Sequence, residues 1–599
     1  MSKPPADWIR SALVDAYAAL QAGDLGTTGA LVRRVLDAAP ALVEAHFLVG
    51  MVALELRDHR TARSAFSTVA RLRPRHDAAW AQLAWLHARG GRTADARAAI
   101  AEARAWFGGN PAVADRIGAA SALCGLHADA LAWHRRAVSG APDRIDYRIN
   151  SAGAAIVSGA FSDARADLDA VLRTAPDHAQ AHWLRAGLDT ATDRQHADVL
   201  QRLLNTRTSR APLEIALLAY ARGKRLEDIG AWGDAFAAYA EGAKARRGTV
   251  SYDEAAEATL FDALIRRFDR DWLSARRDPA TRDDASDRAS AGSGAPAADR
   301  PACVPVFIVG QPRTGTTLVE RMLAAHSQVQ ALGELQQFGR ALRRLVGRPT
   351  PAAGPARDAP QGEADAQYTS DTQPLSGAEH RSDAERLRRI LPGGLDADLV
   401  DRASRIDPAR LGAAYLDAVA PERDGSPWFI DKLPGNFLHL PLILAALPEA
   451  RIVHLVRDPL DACFASFKQL FAEAYPHSYD QAEQARHFVR YHRLMAHWRA
   501  EFPERFLDLS YEQLVTDPDA AVRVLLDHLG LPDEDAVRHF AGASGPVATA
   551  SAVQVRSPVH ARSVGQAHRL GDALAPMRAI LAAAGLIPDP PTGSPASGA

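Results

Sequence analysis

Cysteine is scarce in this sequence: three residues in 599, Cys124, Cys303 and Cys463, lie far apart and in no metal-ligand spacing. That excludes a disulfide framework and a thiolate zinc site, and it fits a reducing, cytoplasmic setting. Net charge is also lacking, with 70 Lys+Arg against 72 Asp+Glu, so a chain-wide grip on nucleic acid is not expected. Long hydrophobic runs are missing too. The longest nearly apolar stretch, 437–447, is far shorter than the roughly 20 residues a membrane-spanning helix needs. The first 24 residues carry charges throughout and lack the pattern of a secretory signal. Lysine is the rarest charged residue, with only Lys3, Lys224, Lys244, Lys432 and Lys468, so a lysine inside a motif stands out.

What is present is enough apolar sequence to bury cores over most of the chain, 47% hydrophobic against 24% charged. The length predicts about three to four domains. In the N-terminal half Ala62, Ala96, Ala130 and Ala164 recur every 34 residues in amphipathic stretches such as Thr61-Ala62-Arg63-Ser64-Ala65-Phe66. Prolines follow the same phase at Pro40, Pro74, Pro142 and Pro176, with Pro111 three residues late. This is the tetratricopeptide period. It predicts an all-α solenoid of helical hairpins over 1–276, weakening after Asp177 and resuming with two helices over 211–247. A solenoid presents a surface to a protein partner or to a second copy.

Residues 277–302 are rich in Asp, Arg, Ser, Ala, Gly and Pro and read as a flexible linker. The stretch 347–383 has similar composition and reads as an insertion within a second domain, 303–587, with a loose tail at 588–599.

The second domain opens with a β-branched run, Val304-Pro305-Val306-Phe307-Ile308-Val309, then Gly310-Gln311-Pro312-Arg313-Thr314-Gly315-Thr316-Thr317 and a helical stretch. Strand, glycine loop and helix start cradle a phosphate with inward-turned N–H groups and a positive dipole end. Thr316 occupies the position where the ATPase phosphate loop has lysine, so the γ-phosphate of ATP is not the expected ligand, and a nucleoside kinase or NTPase is disfavoured. A second strand, Arg451-Ile452-Val453-His454-Leu455-Val456, leads into Arg457-Asp458-Pro459-Leu460-Asp461, and a third run reads Leu509-Ser510-Tyr511-Glu512-Gln513-Leu514-Val515.

These three ordered motifs resemble the 5′-phosphosulfate loop, the 3′-phosphate motif and the Tyr-Glu-x-Leu segment of sulfotransferases. Gly333-Glu334, Gln554-Val555 and Pro558-Val559, together with the repeats, look most like protein-tyrosine sulfotransferases and their bacterial relatives. The resemblance implies an α/β P-loop-like fold with a parallel sheet, 3′-phosphoadenosine-5′-phosphosulfate as donor, an acceptor hydroxyl with protein tyrosine as first choice, and no metal. Carbohydrate, lipid and small-phenol acceptors share such a donor site, and a scaffold that only binds nucleotide is the reading from another class.

The resemblance also assigns residues. Arg313, Thr314, Gly315, Thr316 and Thr317 would hold the 5′-phosphosulfate, with Arg313 as charge clamp. Lys432, in Phe429-Ile430-Asp431-Lys432-Leu433-Pro434-Gly435-Asn436, would meet charge on the leaving oxygen. Glu334 would take the acceptor proton, with His326, His439, His454 and His560 as alternative bases and His454 more at home in packing. Arg457 would fork onto the 3′-phosphate. The family places a serine eight residues later, where this chain has Ala465, with Ser466 next. Ser551, Arg556 and Ser563 would lie in the closing loop, where Gln566 stands in place of an expected cation. Tyr511 would either reach the nucleotide or pack as a buried aromatic.

Overall fold

The computed structural model describes residues 6–206, 210–277, 303–347, 395–471, 474–540, 547–549, 553–556 and 559–588. The expected linker and insertion therefore lie outside the described residues except at their edges, as does the tail beyond residue 588. Contacts divide the chain into two compact units, one ending at Asp167 and one beginning at Leu168.

The first unit is built of helical hairpins: Ala6–Gln21 with Leu25–Ala38, Val43–Glu55 with His59–Leu72, Asp77–Arg89 with Thr93–Ala105, and Pro111–Leu123 with His127–Gly140, followed by Ile145–Ser158; the boundary falls within the next helix, Phe161–Thr174. The phase-marking alanines Ala62, Ala96, Ala130 and Ala164 are all buried, as close helix approach requires. Size is matched one repeat at a time. A Cβ on Gly50 would meet the Phe66 ring at 2.6 Å, and one on Gly118 would meet His134 at 2.9 Å. In the intervening repeat the smaller Ile100 allows Ala84 at the corresponding place, and both are buried.

The prolines have a second use beyond stopping helices. Each carbonyl of Pro40, Pro74 and Pro142 accepts a 2.8 Å hydrogen bond from the side chain six residues on, His46, Trp80 and Arg148 respectively. Pro176 and His182 repeat the bond within the second unit. Six residues bring the first helical turn back over its entry loop, so the staple fixes the angle at which each hairpin starts. In the repeat where the phase fails, Gly108 and Ala114 occupy these places and cannot form it; Pro111 instead starts the helix Pro111–Leu123.

The second unit contains the helices Ala179–Gly187, Gln195–Asn205, Pro212–Asp228, Trp232–Arg247, Glu254–Arg267 and Arg270–Arg277, and then an α/β domain. Its five strands are β1 (Val304–Gly310), β2 (Val329–Ala331), β3 (Trp428–Asp431), β4 (Arg451–Val456) and β5 (Phe506–Ser510), ordered β2-β3-β1-β4-β5 and all parallel. A parallel sheet is covered on both faces. Accordingly Phe307 and Val309 of β1 join one core, while Val306 and Ile308 join the other.

The first of these cores also contains Leu213, Leu218, Tyr220, Tyr239, Phe261 and Phe268. The helices just before the expected linker thus share a hydrophobic core with the sheet, and the division between compact units falls about a hundred residues earlier than the sequence boundary at 276. Among the described residues no helix is long and apolar enough to cross a membrane.

Candidate active site

Chain direction in a parallel sheet gathers every strand's C-terminal end on one edge, where open α/β sheets bind ligands. Beyond β1 comes the glycine loop, beyond β3 Lys432, beyond β4 Arg457, and beyond β5 Tyr511.

The loop after β1 is tightly wound. Arg313 has φ +67° and Gly315 φ +99°, the former an unusual conformation for a residue with a side chain. Thr314 Oγ1 donates to the Gln311 carbonyl at 2.8 Å. Gly315 precedes the helix Thr316–Leu323, and a Cβ there would meet Tyr511 Cδ2 at 2.8 Å. Thr316 and Thr317 are buried at the helix start, and Thr317 shares a 3.4 Å hydroxyl contact with Thr549.

Strand register brings Glu334 and Lys432 together. β2 and β3 pair Ala331 with Ile430, and the ladder runs on through Leu332 N to Ile430 O at 3.1 Å and Lys432 N to Gly333 O at 2.9 Å. The next residue, Glu334, accepts from Lys432 Nζ through Oε1 at 2.5 Å. Glu320, on the helix after the loop, lies 3.8 Å from the same ammonium. Lys432 is fully buried. Burial pushes the Glu320 carboxyl above its ordinary range, with Lys432 opposing and Glu334 reinforcing. Beside them Asp431 accepts from Tyr415 Oη at 2.9 Å and Asn436 Nδ2 at 3.0 Å.

Arg457 binds two loops at once. Nη1 donates to the Arg313 carbonyl at 2.8 Å and Nη2 to the Ser563 carbonyl at 2.5 Å, while its guanidinium lies 4.6 Å from the Tyr511 ring centroid. Its Nε is buried with no partner. Four residues on, Asp461 accepts from Gly565 N at 2.5 Å and Ala567 N at 2.8 Å. The third motif braces the second, because Glu512 accepts from Asp458 N at 2.9 Å and from Ser510 Oγ at 2.9 Å. Ser466 is buried and its hydroxyl points at the Pro312 carbonyl, 3.4 Å away.

The structure therefore groups Arg313, Thr314, Gly315, Thr316, Thr317, Arg457, Ser466 and Tyr511 at one sheet edge, with Lys432 and Glu334 beside them. Ser563 meets Arg457 through its carbonyl. Arg556 stands near Arg321; burial first, then that like charge, draws its guanidinium below the ordinary range. Ser551 lies outside the described residues. Among the alternative bases, His326 bonds the Pro532 carbonyl at 3.0 Å and His454 bonds Asp508 at 2.6 Å and Tyr491. Burial pushes His439 down to about 3, and His560 is exposed.

Sequence reading missed Lys468. Its Nζ donates at 2.7 Å to Gln566 Oε1, which puts a cation beside that glutamine, and at 2.7 Å to Glu227 Oε1. Burial draws its ammonium down; Glu227 opposes this, while the nearby charges of Arg313 and Arg457 add to it. Three cations thus converge where Arg457 keeps a free buried N–H, which suits a multiply charged anion. The signal available was lysine scarcity, which the sequence reading applied to Lys432 alone.

Residues 305–535 match the sulfotransferase family, and residues 53–115 match the tetratricopeptide repeat. An uncharacterised protein of Aquifex aeolicus (strain VF5) is 31% identical over 46% of this chain and 32% of its own length. Protein-tyrosine sulfotransferase 1 of Danio rerio is 24% identical over 43% of this chain and 64% of its own. Omega-hydroxy-beta-dihydromenaquinone-9 sulfotransferase Stf3 of Mycobacterium bovis (strain ATCC BAA-935 / AF2122/97) is 29% identical over 17% and 28%. The chain spans less than two thirds of the length of each of these relatives.

Proposed function

We propose, from the premise that residues 305–535 form a sulfotransferase-family segment, that this chain moves a sulfuryl group from 3′-phosphoadenosine-5′-phosphosulfate to an acceptor hydroxyl, with protein tyrosine as the acceptor. The observation that carries the reading is the Lys432–Glu334 pair standing beside the phosphate loop at the C-terminal edge of β1 and β3.

The residues fit the donor. Gly315 takes a positive φ that lets the loop wind tightly against Tyr511, Arg457 Nε is a buried N–H with no partner, and Arg313, Arg457 and Lys468 supply the counter-charge for the donor's phosphates. Backbone N–H groups of 313–317 and the Thr316 and Thr317 hydroxyls would hold the 5′-side, while Arg457 with Ser466 would serve the 3′-phosphate. The bound donor supplies the electrophilic sulfur and the leaving phosphate.

Transfer forms a bond from acceptor oxygen to sulfur as the bond from sulfur to the 5′-phosphate oxygen breaks. Glu334 takes the phenolic proton, which a free phenol holds up to about pH 10; such a base is typically worth a factor of roughly 10² to 10⁴. Lys432 meets the charge that gathers on the leaving oxygen. Their hydrogen bond aligns both groups before the acceptor arrives, and the second carboxylate oxygen of Glu334 remains for the phenol. The chemistry requires no metal.

The protein-tyrosine acceptor is supported by the Danio rerio relative's name and by a helical repeat region suited to holding a polypeptide. A lipid hydroxyl is the second reading, favoured by the name of the mycobacterial relative. Cys124, Cys303 and Cys463 are present as thiols, which supports a reducing compartment.

The test is calorimetric titration of wild type and Arg457→Ala with 3′,5′-adenosine bisphosphate and with ATP. Adenosine bisphosphate should bind in preference to ATP and lose its binding in Arg457→Ala. Preference for ATP, or no binding by the folded wild type, removes the reading. Transfer of labelled sulfate to tyrosine peptides rather than to lipid alcohols then decides the acceptor.

A further inference from the structure

Two chains of contacts run from the helices before the sheet to the two loops of the site. Glu257, on the helix Glu254–Arg267, accepts from His487 Nδ1 at 2.9 Å; His487 Nε2 in turn meets Gln311 Nε2 at 3.2 Å. With the Gln311 amide nitrogen, which can only donate, facing the ring, His487 Nε2 accepts and Nδ1–H points toward Glu257. Gln311 is the first residue of the phosphate loop after β1, it is buried, and its carbonyl takes the Thr314 hydroxyl. The second chain is Glu227, at the end of the helix Pro212–Asp228, to Lys468 and on to Gln566 of the closing loop. Glu227 is itself held by Tyr239 Oη at 2.9 Å.

Glu257 and His487, with His477, make the one group among the described residues whose side chains could be taken for metal ligands. Their geometry answers otherwise. Glu257 already accepts from Tyr252 Oη at 2.7 Å and from Arg490 through Nε at 3.0 Å and Nη2 at 2.9 Å, besides His487. A metal ion would have to displace these donors beside a fixed guanidinium. The His477 and His487 rings stack, with centroids 3.7 Å apart and planes 14° from parallel, so their in-plane lone pairs run side by side instead of converging. Burial pushes the Glu257 carboxyl up, but His487, His477 and Arg490 outweigh it and hold the carboxyl well below the usual range. What remains is an ionised carboxylate with a fixed imidazole in front of it.

The helices that carry these carboxylates are anchored independently. On the helix of Glu227, Tyr220 Oη donates to the Phe467 carbonyl at 2.9 Å. On the helix of Glu257, Glu254 accepts the Arg486 fork at 2.6 and 2.9 Å, and Arg267 Nε donates to Ser404 Oγ at 2.7 Å. A loop contact made through Glu257 or Glu227 is therefore made to a fixed base.

We propose that Glu257 and Glu227 are positioning residues of the transfer site, Glu257 holding the phosphate loop through His487 and Gln311, and Glu227 holding the closing loop through Lys468 and Gln566. This rests on the donor-binding reading given above. On this account the helices of 212–267 belong to the catalytic unit, and the acceptor-binding repeats begin their separate work upstream of them.

The test is steady-state transfer by the full chain in two double-mutant cycles, Glu257→Gln with Gln311→Ala and Glu227→Gln with Gln566→Ala, read alongside thermal melts. Each single variant should raise the donor KM about tenfold while kcat changes less than about twofold, and each double variant should be no worse than its weaker single, since each pair acts as one unit. A purely structural carboxylate would lower the melting temperature and leave donor KM untouched. Donor KM within about twofold of wild type in folded variants, or losses that simply add, overturns the proposal. If Glu257→Gln does not fold, Gln311→Ala decides alone, because it leaves the Glu257–Arg490 cluster intact: an unchanged donor KM overturns the phosphate-loop arm. An active wild type with indifferent variants defeats the positioning claim only, whereas a wild type that binds no donor product defeats the functional reading and this one with it.

Discussion

Lys432 Nζ and Glu334 Oε1 stand 2.5 Å apart, with the Lys432 side chain fully buried and that of Glu334 about one fifth exposed. The proposed acid-side and base-side groups of one transfer are thus a single ion pair before any substrate enters. Glu334 keeps solvent access, as the proposed acceptor base must, while Lys432 is also within 3.8 Å of Glu320. Lys432→Met should therefore act twice. Single-turnover transfer should fall at least about 10²-fold through loss of leaving-group stabilisation. Urea melts should lose about 3 kcal/mol, because two neighbouring carboxylates lose their shared cation. Glu334→Gln keeps the hydrogen bond to Lys432, so it should bind 3′,5′-adenosine bisphosphate as wild type does while turnover collapses. Full activity in Glu334→Gln would move the base to another residue.

Asp461 offers a different kind of prediction, since it touches no expected ligand atom. Its carboxylate collects the N–H groups of Gly565 and Ala567, and Arg457 reaches the Ser563 carbonyl from the same helix end. Asp461→Ala should release the closing loop: limited proteolysis near 560–567 should quicken, and the dissociation constant for adenosine bisphosphate should rise about tenfold, the equivalent of two lost charge-assisted hydrogen bonds discounted for loop solvation. Unchanged proteolysis and binding would mean that the loop is held by its other contacts.

The two predictions differ in how visible their residues were. Strand, loop and helix order around Val304–Gly310, the burial of Ala62, Ala96, Ala130 and Ala164, and the placing of Arg457 and Tyr511 beyond strand ends follow from local pattern, and local pattern is what a sequence displays. Glu334 and Lys432 were each marked by motif, but their 2.5 Å contact comes from the β2–β3 register across 98 residues. Asp461 ends the Arg457–Asp461 motif, but nothing local to it shows a role, because its partners lie 104 and 106 residues away. Glu257 and His487 were invisible: a glutamate in an amphipathic helix and a histidine 230 residues later carry no mutual signal. The boundary near 276 was drawn where composition changes, whereas the shared core of Tyr220, Phe261 and the sheet is a tertiary fact.

Gly315 tests the shape of the loop. With φ +99° and Tyr511 Cδ2 at 2.8 Å from a would-be Cβ, Gly315→Ala meets both backbone strain and a ring braced by Arg457. The φ strain alone is of order 1–3 kcal/mol, so Gly315→Ala should lose adenosine bisphosphate binding and lower the unfolding midpoint. Adding Tyr511→Ala should relieve the clash and leave the strain, restoring part of the stability. Wild-type binding by Gly315→Ala would mean that the loop adopts another conformation in solution.

Asp431 gives the pH dependence. Burial pushes its carboxyl up to about 8, against the hydrogen bonds from Tyr415 and Asn436; Glu320 adds to the rise and Lys432 opposes it. Between its ordinary value of 3.8 and that raised value the folded chain keeps a proton that the unfolded chain has released. Its contribution to stability is therefore complete below about pH 4, declines as pH rises, and is exhausted above about pH 8, with a slope of at most about 1.4 kcal/mol per pH unit. Asp431→Asn, which cannot ionise, should lack that decline. The measurement is the difference between wild-type and Asp431→Asn unfolding free energies in urea from pH 5 to pH 9, which removes contributions common to both. The difference should shrink steadily toward pH 8 and then level off, to the disadvantage of the wild type. A difference independent of pH would place Asp431 as a permanent carboxylate, and Lys432 would then be neutralised by three acidic neighbours instead of two.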